Sequence, residues 1–138
     1  VNQMIGDGLM AVFGTPIHRE DHCEQAVLAA LEMLDLLEGF NQQQAVLKKT
    51  QIKIGIGIAS GKMIAGYTGT EYRAVYTCVG DTVNLAARLE DYTKQAGKPI
   101  LIDRNTCDRL AESIAVESLG KVLFKGKQQP GQIYSVTK

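Results

Sequence analysis

The chain has 138 residues, 15 basic against 15 acidic side chains, and a hydrophobic fraction of 45%. That length suits one domain burying roughly 68% of its unfolded surface, and the balanced charge excludes a long-range field that would gather nucleic acid or an anionic membrane, so any anionic ligand must be held locally. No apolar run approaches the ~20 residues that span a bilayer, and Cys23, Cys78 and Cys107, odd in number and without CxxC spacing, fit neither a disulfide framework nor a zinc knuckle, so a reducing, cytoplasmic setting without direct membrane insertion is expected.

In chain order, short apolar runs at 1–5 and 9–13 flank Gly6-Asp7-Gly8. Asp-Gly between such runs predicts a hairpin, because glycine tolerates positive φ, and Asp7 is then presented at an exposed turn. Asp21 with Glu24 three residues on predicts a helix start. The stripe Ala26, Ala30, Met33, Leu37 and Phe40 keeps helical spacing to about residue 43. From Ile52 the period changes to two, with Ile52, Ile54, Ile56 and Ile58 on one face and Lys53, Gly55 and Gly57 on the other. Strand glycines weaken packing and mark the close approach of another backbone, helix or ligand.

Ser60-Gly61 turns the chain into a strand near 63–67, followed by another near 74–79. Gly80-Asp81 opens a helix running to about Gln95, stopped by Gly97 and Pro99. Residues 100–102 form a strand, Asp103 caps a short helix, and apolar runs near 116–124 and 133–136 flank a Lys/Gly loop. The class is α+β with a mostly antiparallel sheet and helices packed on it.

Common motifs fail on their own terms. Gly61-Lys62 lacks both the upstream glycine and the following Ser or Thr of a phosphate-binding loop, and Gly55-Ile56-Gly57 lies inside a strand without a third glycine. His18 and His22 have no third ligand type nearby and read as non-ligand histidines. What remains is polar chemistry at odd positions. Asp7 at a hairpin tip suits a hard cation such as magnesium, although Asp-Gly is also ordinary turn chemistry. Asn84 and Arg88, spaced i, i+4 on the second helix, project from one face and could orient a ribose and neutralise a phosphoryl group, or simply form a solvated face. Lys125 in its glycine-containing loop could grip a phosphate.

The combination of motifs is more specific than any of them. Val1-Asn2-Gln3-Met4-Ile5-Gly6-Asp7-Gly8-Leu9-Met10-Ala11-Val12-Phe13-Gly14 closely resembles the metal-binding hairpin of class III adenylate and guanylate cyclases, and Val79-Gly80-Asp81-Thr82-Val83-Asn84-Leu85-Ala86-Ala87-Arg88-Leu89-Glu90 resembles the same family's second signature. Ile56-Gly57-Ile58-Ala59-Ser60-Gly61 and Ile64-Ala65-Gly66 resemble its paired strands, and Phe124-Lys125-Gly126-Lys127 its phosphate-lysine loop. The resemblance covers essentially the whole chain, is greatest to the bacterial homodimeric members, and implies a ferredoxin-like (βαββαβ-type) nucleotidyl cyclase fold.

It also implies an internal phosphoryl transfer, in which the ribose 3′-hydroxyl of ATP attacks the α-phosphorus and pyrophosphate leaves, assisted by two Mg2+ or Mn2+ ions. Carried over by motif position, Asp7 is a metal ligand, Asn84 orients the ribose, Arg88 stabilises the transition state and Lys125 binds phosphate. In this family the site forms between two head-to-tail subunits, so Asp7 of one chain is expected to work with Asn84, Arg88 and Lys125 of the other in a homodimer. The family's first metal-binding aspartate lies in a strand before the hairpin and this sequence starts after it, so residues 1–138 are expected to be an N-terminally incomplete catalytic domain, inactive as they stand. Base choice falls to Gln3 and Thr77. Adenylate-forming relatives usually carry lysine at the first place and guanylate-forming ones tend toward glutamate, so Gln3 leaves GTP open while Thr77 supports ATP. A guanylate cyclase, and a catalytically silent nucleotide-binding or dimerisation module, remain the alternatives.

Overall fold

The structure, a computed structural model, describes residues 3–15, 17–70, 73–124 and 129–137, with residues 3–5, 65–70 and 73–78 described by their backbone alone. The elements run β1 (Gln3–Ile5), β2 (Gly8–Met10), α1 (His22–Val46), β3 (Ile56–Ile58), β4 (Ile64–Thr70), β5 (Arg73–Val79), α2 (Asp81–Ala96), β6 (Ile100–Asp103), α3 (Arg104–Asp108), β7 (Ala115–Val122) and β8 (Gly131–Thr137). The α+β class expected from the sequence, with a mostly antiparallel main sheet and helices packed on it, is what is found. Four strands form the main sheet in the order β3-β6-β8-β7, while β1-β2 and β4-β5 are separate antiparallel ribbons. Within the main sheet β3 pairs parallel to β6, and the pairings of β8 with β6 and β7 are antiparallel.

Alternation along the strands assigns the two faces of this sheet. Ile100, Ile102 and Val136 turn to one side and bury with Val27 and Ala30 of α1, joined by Ile56 and Ile58. Leu101 and Ile133, on the opposite pleat, bury with Leu89 of α2. A fully buried strand such as β6, with no exposed residue in it, needs cover on both faces, and α1 and α2 provide it. Cys23 and Cys107 are free thiols. Among the described residues no helix is long and apolar enough to cross a membrane.

Four local expectations change. The period-two run does not begin at Ile52: only Ile56–Ile58 is strand. Upstream, Asn41 of α1 donates its Nδ2 to the Ile52 carbonyl at 2.7 Å and accepts the Ile52 amide at 2.8 Å, while Gln44 Nε2 reaches the Thr50 carbonyl at 3.1 Å. Backbone groups that would pair with a strand are thus taken by helix side chains. Along α1 the buried positions are Cys23, Val27 and Ala30, with Leu31 and Leu34 beside them, whereas Met33 and Phe40 stay about two-fifths exposed. The helix is apolar on more than one side, so its spacing admitted two faces and docking selected one.

Asp21 does occupy the N-cap but makes no side-chain cap. Its carboxylate instead accepts from Arg19 Nε at 3.1 Å and Gln25 Nε2 at 3.1 Å, and the Arg19 guanidinium holds its pKa below the usual carboxylate value. In the hairpin, Ile5 faces Gly8 across the pair, which makes Gly6 and Asp7 the two central turn residues. The positive φ falls on Gly6, at +58°, rather than on the glycine after Asp7. Positive φ at the first central residue alone is the signature of a type II′ turn.

Candidate functional site

Helix α2 is positioned by what the facing strand leaves out. A Cβ on Gly57 would collide with the Ala86 carbonyl and the Glu90 amide and stand 2.9 Å from Leu89 Cβ. One on Gly55 would meet Thr93 Oγ1 and lie 3.3 Å from the Glu90 carbonyl. The glycine face read from the sequence is therefore a bed for a helix backbone, closer than any side chain permits. Leu89, fully buried between α2 and the sheet, holds the helix in that bed, and burying such a side chain is worth about 1.5–3 kcal/mol. Gly97, in the left-handed conformation at φ +67°, ends the helix with its N–H on the Thr93 carbonyl, as expected from Gly97 and Pro99.

The opposite face of α2 carries the predicted pair. Asn84 is exposed and Arg88, one turn on, is half-buried. Among the described residues neither side chain forms a hydrogen bond or ion pair. Tyr92, a further turn along, packs edge-to-face on Phe124 with ring centroids 5.8 Å apart. Phe124 is the residue before Lys125 in the chain, and Lys125 itself lies outside the described residues.

Asp7 is exposed at the β1–β2 turn, and among the described residues that hairpin shares a sheet only with itself. No hydrogen bond or ion pair among the described residues links Asp7 to Asn84 or Arg88. Gln3 sits in β1 opposite Met10 and Thr77 in β5 opposite Gly66, both described by backbone alone. The site thus falls into two halves: a rigidly seated helix face bearing an amide and a guanidinium, and a carboxylate on a separate ribbon.

For a divalent cation the donor chemistry of Asp7 fits in kind but not in number. A hard, exposed carboxylate is a suitable ligand for magnesium or manganese. Among the described residues no group of three His, Cys, Asp or Glu side chains could hold a metal, so Asp7 is a single carboxylate there and not a metal site in itself. His18 and His22 pack ring to ring at 6.0 Å, and His22 Nδ1 lies 3.4 Å from the Cys23 sulfur.

Sequence reasoning missed two features. One is a shallow cavity of about 190 Å3 lined by Leu85, Asp103, Arg104, Asn105, Phe124 and Gln132 among others. It borders α2 about 100° around the helix from Asn84, on the sheet side. The other is a polar network at the ends of β3 and β6. Asp103 caps α3 as expected, accepting the Thr106 amide at 2.9 Å, but it is also largely buried, and burial pushes its carboxyl pKa above the ordinary 3.8. Thr106 Oγ1 lies 3.1 Å from Ser60 Oγ, and Asn105 Nδ2 donates to the Ser60 carbonyl at 3.3 Å. Ser60-Gly61 had signalled only a turn; nothing in its local sequence names partners some 45 residues away.

Residues 3–137 match the family described as Adenylate and Guanylate cyclase catalytic domain. The chain is 31% identical over 97% of its length to adenylate cyclase 1 of Rhizobium meliloti and 35% identical over 99% to adenylate cyclase of Anabaena cylindrica. It spans 20% and 28% of those two proteins. Among solved structures it superposes on the guanylyl cyclase Cya2 with a TM-score of 0.87 at 33% identity, over 98% of this chain and 68% of that one.

Proposed function

Because this chain belongs to the adenylate and guanylate cyclase catalytic domain family, we propose that it is the catalytic segment of a nucleotidyl cyclase converting ATP to 3′,5′-cyclic AMP and pyrophosphate. The observation that carries the reading is the α2 face. Asn84 and Arg88 stand one turn apart on a helix bedded directly on β3, with no hydrogen-bond or ion-pair partner among the described residues.

Such a pair matches the demands of the reaction. The ribose 3′-oxygen loses its proton and forms a bond to the α-phosphorus while the bond to the pyrophosphate oxygen breaks. Negative charge moves from the attacking to the leaving side, and catalysis is largely positioning and electrostatic stabilisation. Arg88, always charged and able to donate two parallel hydrogen bonds, stabilises the transferring phosphoryl group. Asn84 fixes the ribose, and Lys125 holds the phosphates as a point charge. Asp7 shares in holding the divalent ions, whose chemistry is Lewis-acid stabilisation of the triphosphate and a lowered pKa for the attacking hydroxyl.

The resemblance to the family's homodimeric members supports a head-to-tail homodimer, in which Asp7 of one protomer meets Asn84, Arg88 and Lys125 of its partner. An isolated protomer is then inactive. Gln3 and Thr77 read the purine. A glutamine amide both donates and accepts and so does not reject guanine strongly, and the likeness to a guanylyl cyclase structure keeps GTP as the second reading. Similarity to two adenylate cyclases and Thr77 favour ATP.

The test is a cyclase assay of the full-length protein with manganese and either ATP or GTP, repeated with Arg88→Ala. Loss of one preorganised charge-stabilising donor lowers turnover about 10²- to 10³-fold, with nucleotide affinity much less affected. An unchanged rate removes Arg88 from the reaction, and a wild-type protein that binds nucleotide without cyclising it is the silent module.

A further inference from the structure

We propose that Thr82 is a positioning residue for the Asn84–Arg88 face, its hydroxyl bolting the first turn of α2 to the 60–63 loop; this rests on the cyclase reading of that face.

The beginning of α2 is unusual in lacking its own fastening. The N-cap is Gly80, with no side chain to cap the first turn, although helix starts leave up to four amides unpartnered. The Gly57 bed and Leu89 act further along the helix, at residues 86–90. What fixes the first turn laterally is Thr82, whose Oγ1 donates to the Lys62 carbonyl at 2.8 Å. One glycine lets the segments come this close: a Cβ on Gly61 would lie 2.9 Å from Thr82 Oγ1.

A bolt is useful only if its seat is fixed, and this one is. Ser60, two residues before Lys62, is held through its carbonyl by Asn105 Nδ2 and through its hydroxyl by Thr106 Oγ1. Thr106 in turn gives its amide to the buried carboxyl of Asp103. The loop is thus tied at one end to the start of α3 and at the other to the start of α2. Two residues along a helix are about 200° apart, so Thr82 points away from the nucleotide side that Asn84 serves. It acts through the helix, not on the substrate. Loosening the first turn shifts Asn84 directly and Arg88, next to the anchored Leu89, less.

The full-length enzyme carrying Thr82→Val keeps the shape of the side chain and loses the hydroxyl, and Thr82→Ser keeps the hydroxyl. Misplacement by a fraction of an ångström is costly in reactions that depend on orientation, so Thr82→Val is expected to lower kcat about tenfold while KM for the nucleotide changes less than about threefold. Thr82→Ser restores kcat to within about threefold of wild type, and the melting temperatures of the three proteins stay close. Ser60→Ala, which frees the far end of the loop, gives a smaller loss of the same kind. Should Thr82→Val fail to fold, Thr82→Ala replaces it in the same comparison. The proposal is overturned if the valine variant turns over at the wild-type rate, if its whole deficit lies in KM, or if serine is no better than valine. A wild-type protein that makes no cyclic nucleotide overturns the cyclase reading itself, which separates the two failures.

Discussion

Helix α2 and the β1–β2 hairpin carry the two halves of the proposed site, and they are built on opposite terms. The helix lies on β3 and the residue before it, which have no side chains at Gly57 and Gly55 to keep it away, and it sinks Leu89 completely into the sheet. The hairpin is a two-stranded ribbon of three residues a side, joined in sheet to no other strand among the described residues, with Leu9 half exposed. An isolated two-stranded ribbon is marginal in water. The difference teaches that one half of the chemistry is preorganised within the chain, whereas the other depends for its exact place on what the hairpin rests against.

The comparison breaks most sharply at Gly57. Gly57→Ala places a methyl group where the Ala86 carbonyl and the Glu90 amide already sit. Backbone atoms cannot swing aside as a flexible side chain can, so α2 must lift from the sheet. Overpacking of this kind costs about 1–3 kcal/mol, and denaturant unfolding should register it. Turnover of the full-length enzyme should fall with it, because Asn84 and Arg88 travel with the helix. A substitution that left both stability and activity intact would mean that α2 is not seated as tightly as the geometry implies.

What was legible in the sequence follows the same division. The glycine-faced strand, the helix from Gly80-Asp81 to Gly97, and the Asp103 cap could all be read because each rests on interactions a few residues long or on an absence of side chains that has few other meanings. The hairpin was legible as a turn, although its type was not, since Gly6-Asp7-Gly8 offers a glycine on either side of the aspartate. The unread parts rest on contacts distant in the chain. Asn41 captures both backbone groups of Ile52 and so cuts the strand short. The 60–63 loop finds partners on α2 and α3, and α1 buries one of two apolar faces that its sequence does not distinguish. The family motifs named the candidate residues of the site, but their spacing could not say that Asp7 forms no hydrogen bond or ion pair with Asn84 or Arg88 within the described residues.

A smaller effect sharpens the rigid half. Burial raises the Asp103 pKa above 3.8, so the folded protein holds that proton more tightly than the unfolded chain. Its contribution to stability is complete below pH 3.8 and is lost as pH rises through the folded-state value. Asp103→Asn retains an oxygen for the Thr106 amide but cannot ionise. Urea unfolding of both proteins across this acidic window should therefore show wild type losing stability relative to the asparagine variant as pH increases. A difference that is flat, or that runs the other way, would mean the carboxylate is better satisfied by Thr106 and Ser60 than its burial suggests.

The smallest effect on stability should accompany the largest division of labour. Asp7 is exposed at a turn whose conformation is set by Gly6 at φ +58°, so Asp7→Asn should change unfolding free energy by no more than about 0.5 kcal/mol, while weakening the hold on a divalent cation enough to abolish turnover. An inactive but fully stable protein of this kind permits a decisive mixture. Asp7→Asn and Arg88→Ala are each silent alone. If the site is shared head to tail, a mixed dimer carries both lesions in one site and none in the other. Random re-association then places half of the protomers in mixed dimers with one of two sites intact, and recovers about a quarter of wild-type activity. If Asp7 and Arg88 instead serve the same site from the same chain, every site in the mixture carries a lesion and nothing is recovered. The loosely held hairpin would then have to fold back onto its own α2 face, and the contrast between the two regions would reflect a missing intramolecular support, not a partner.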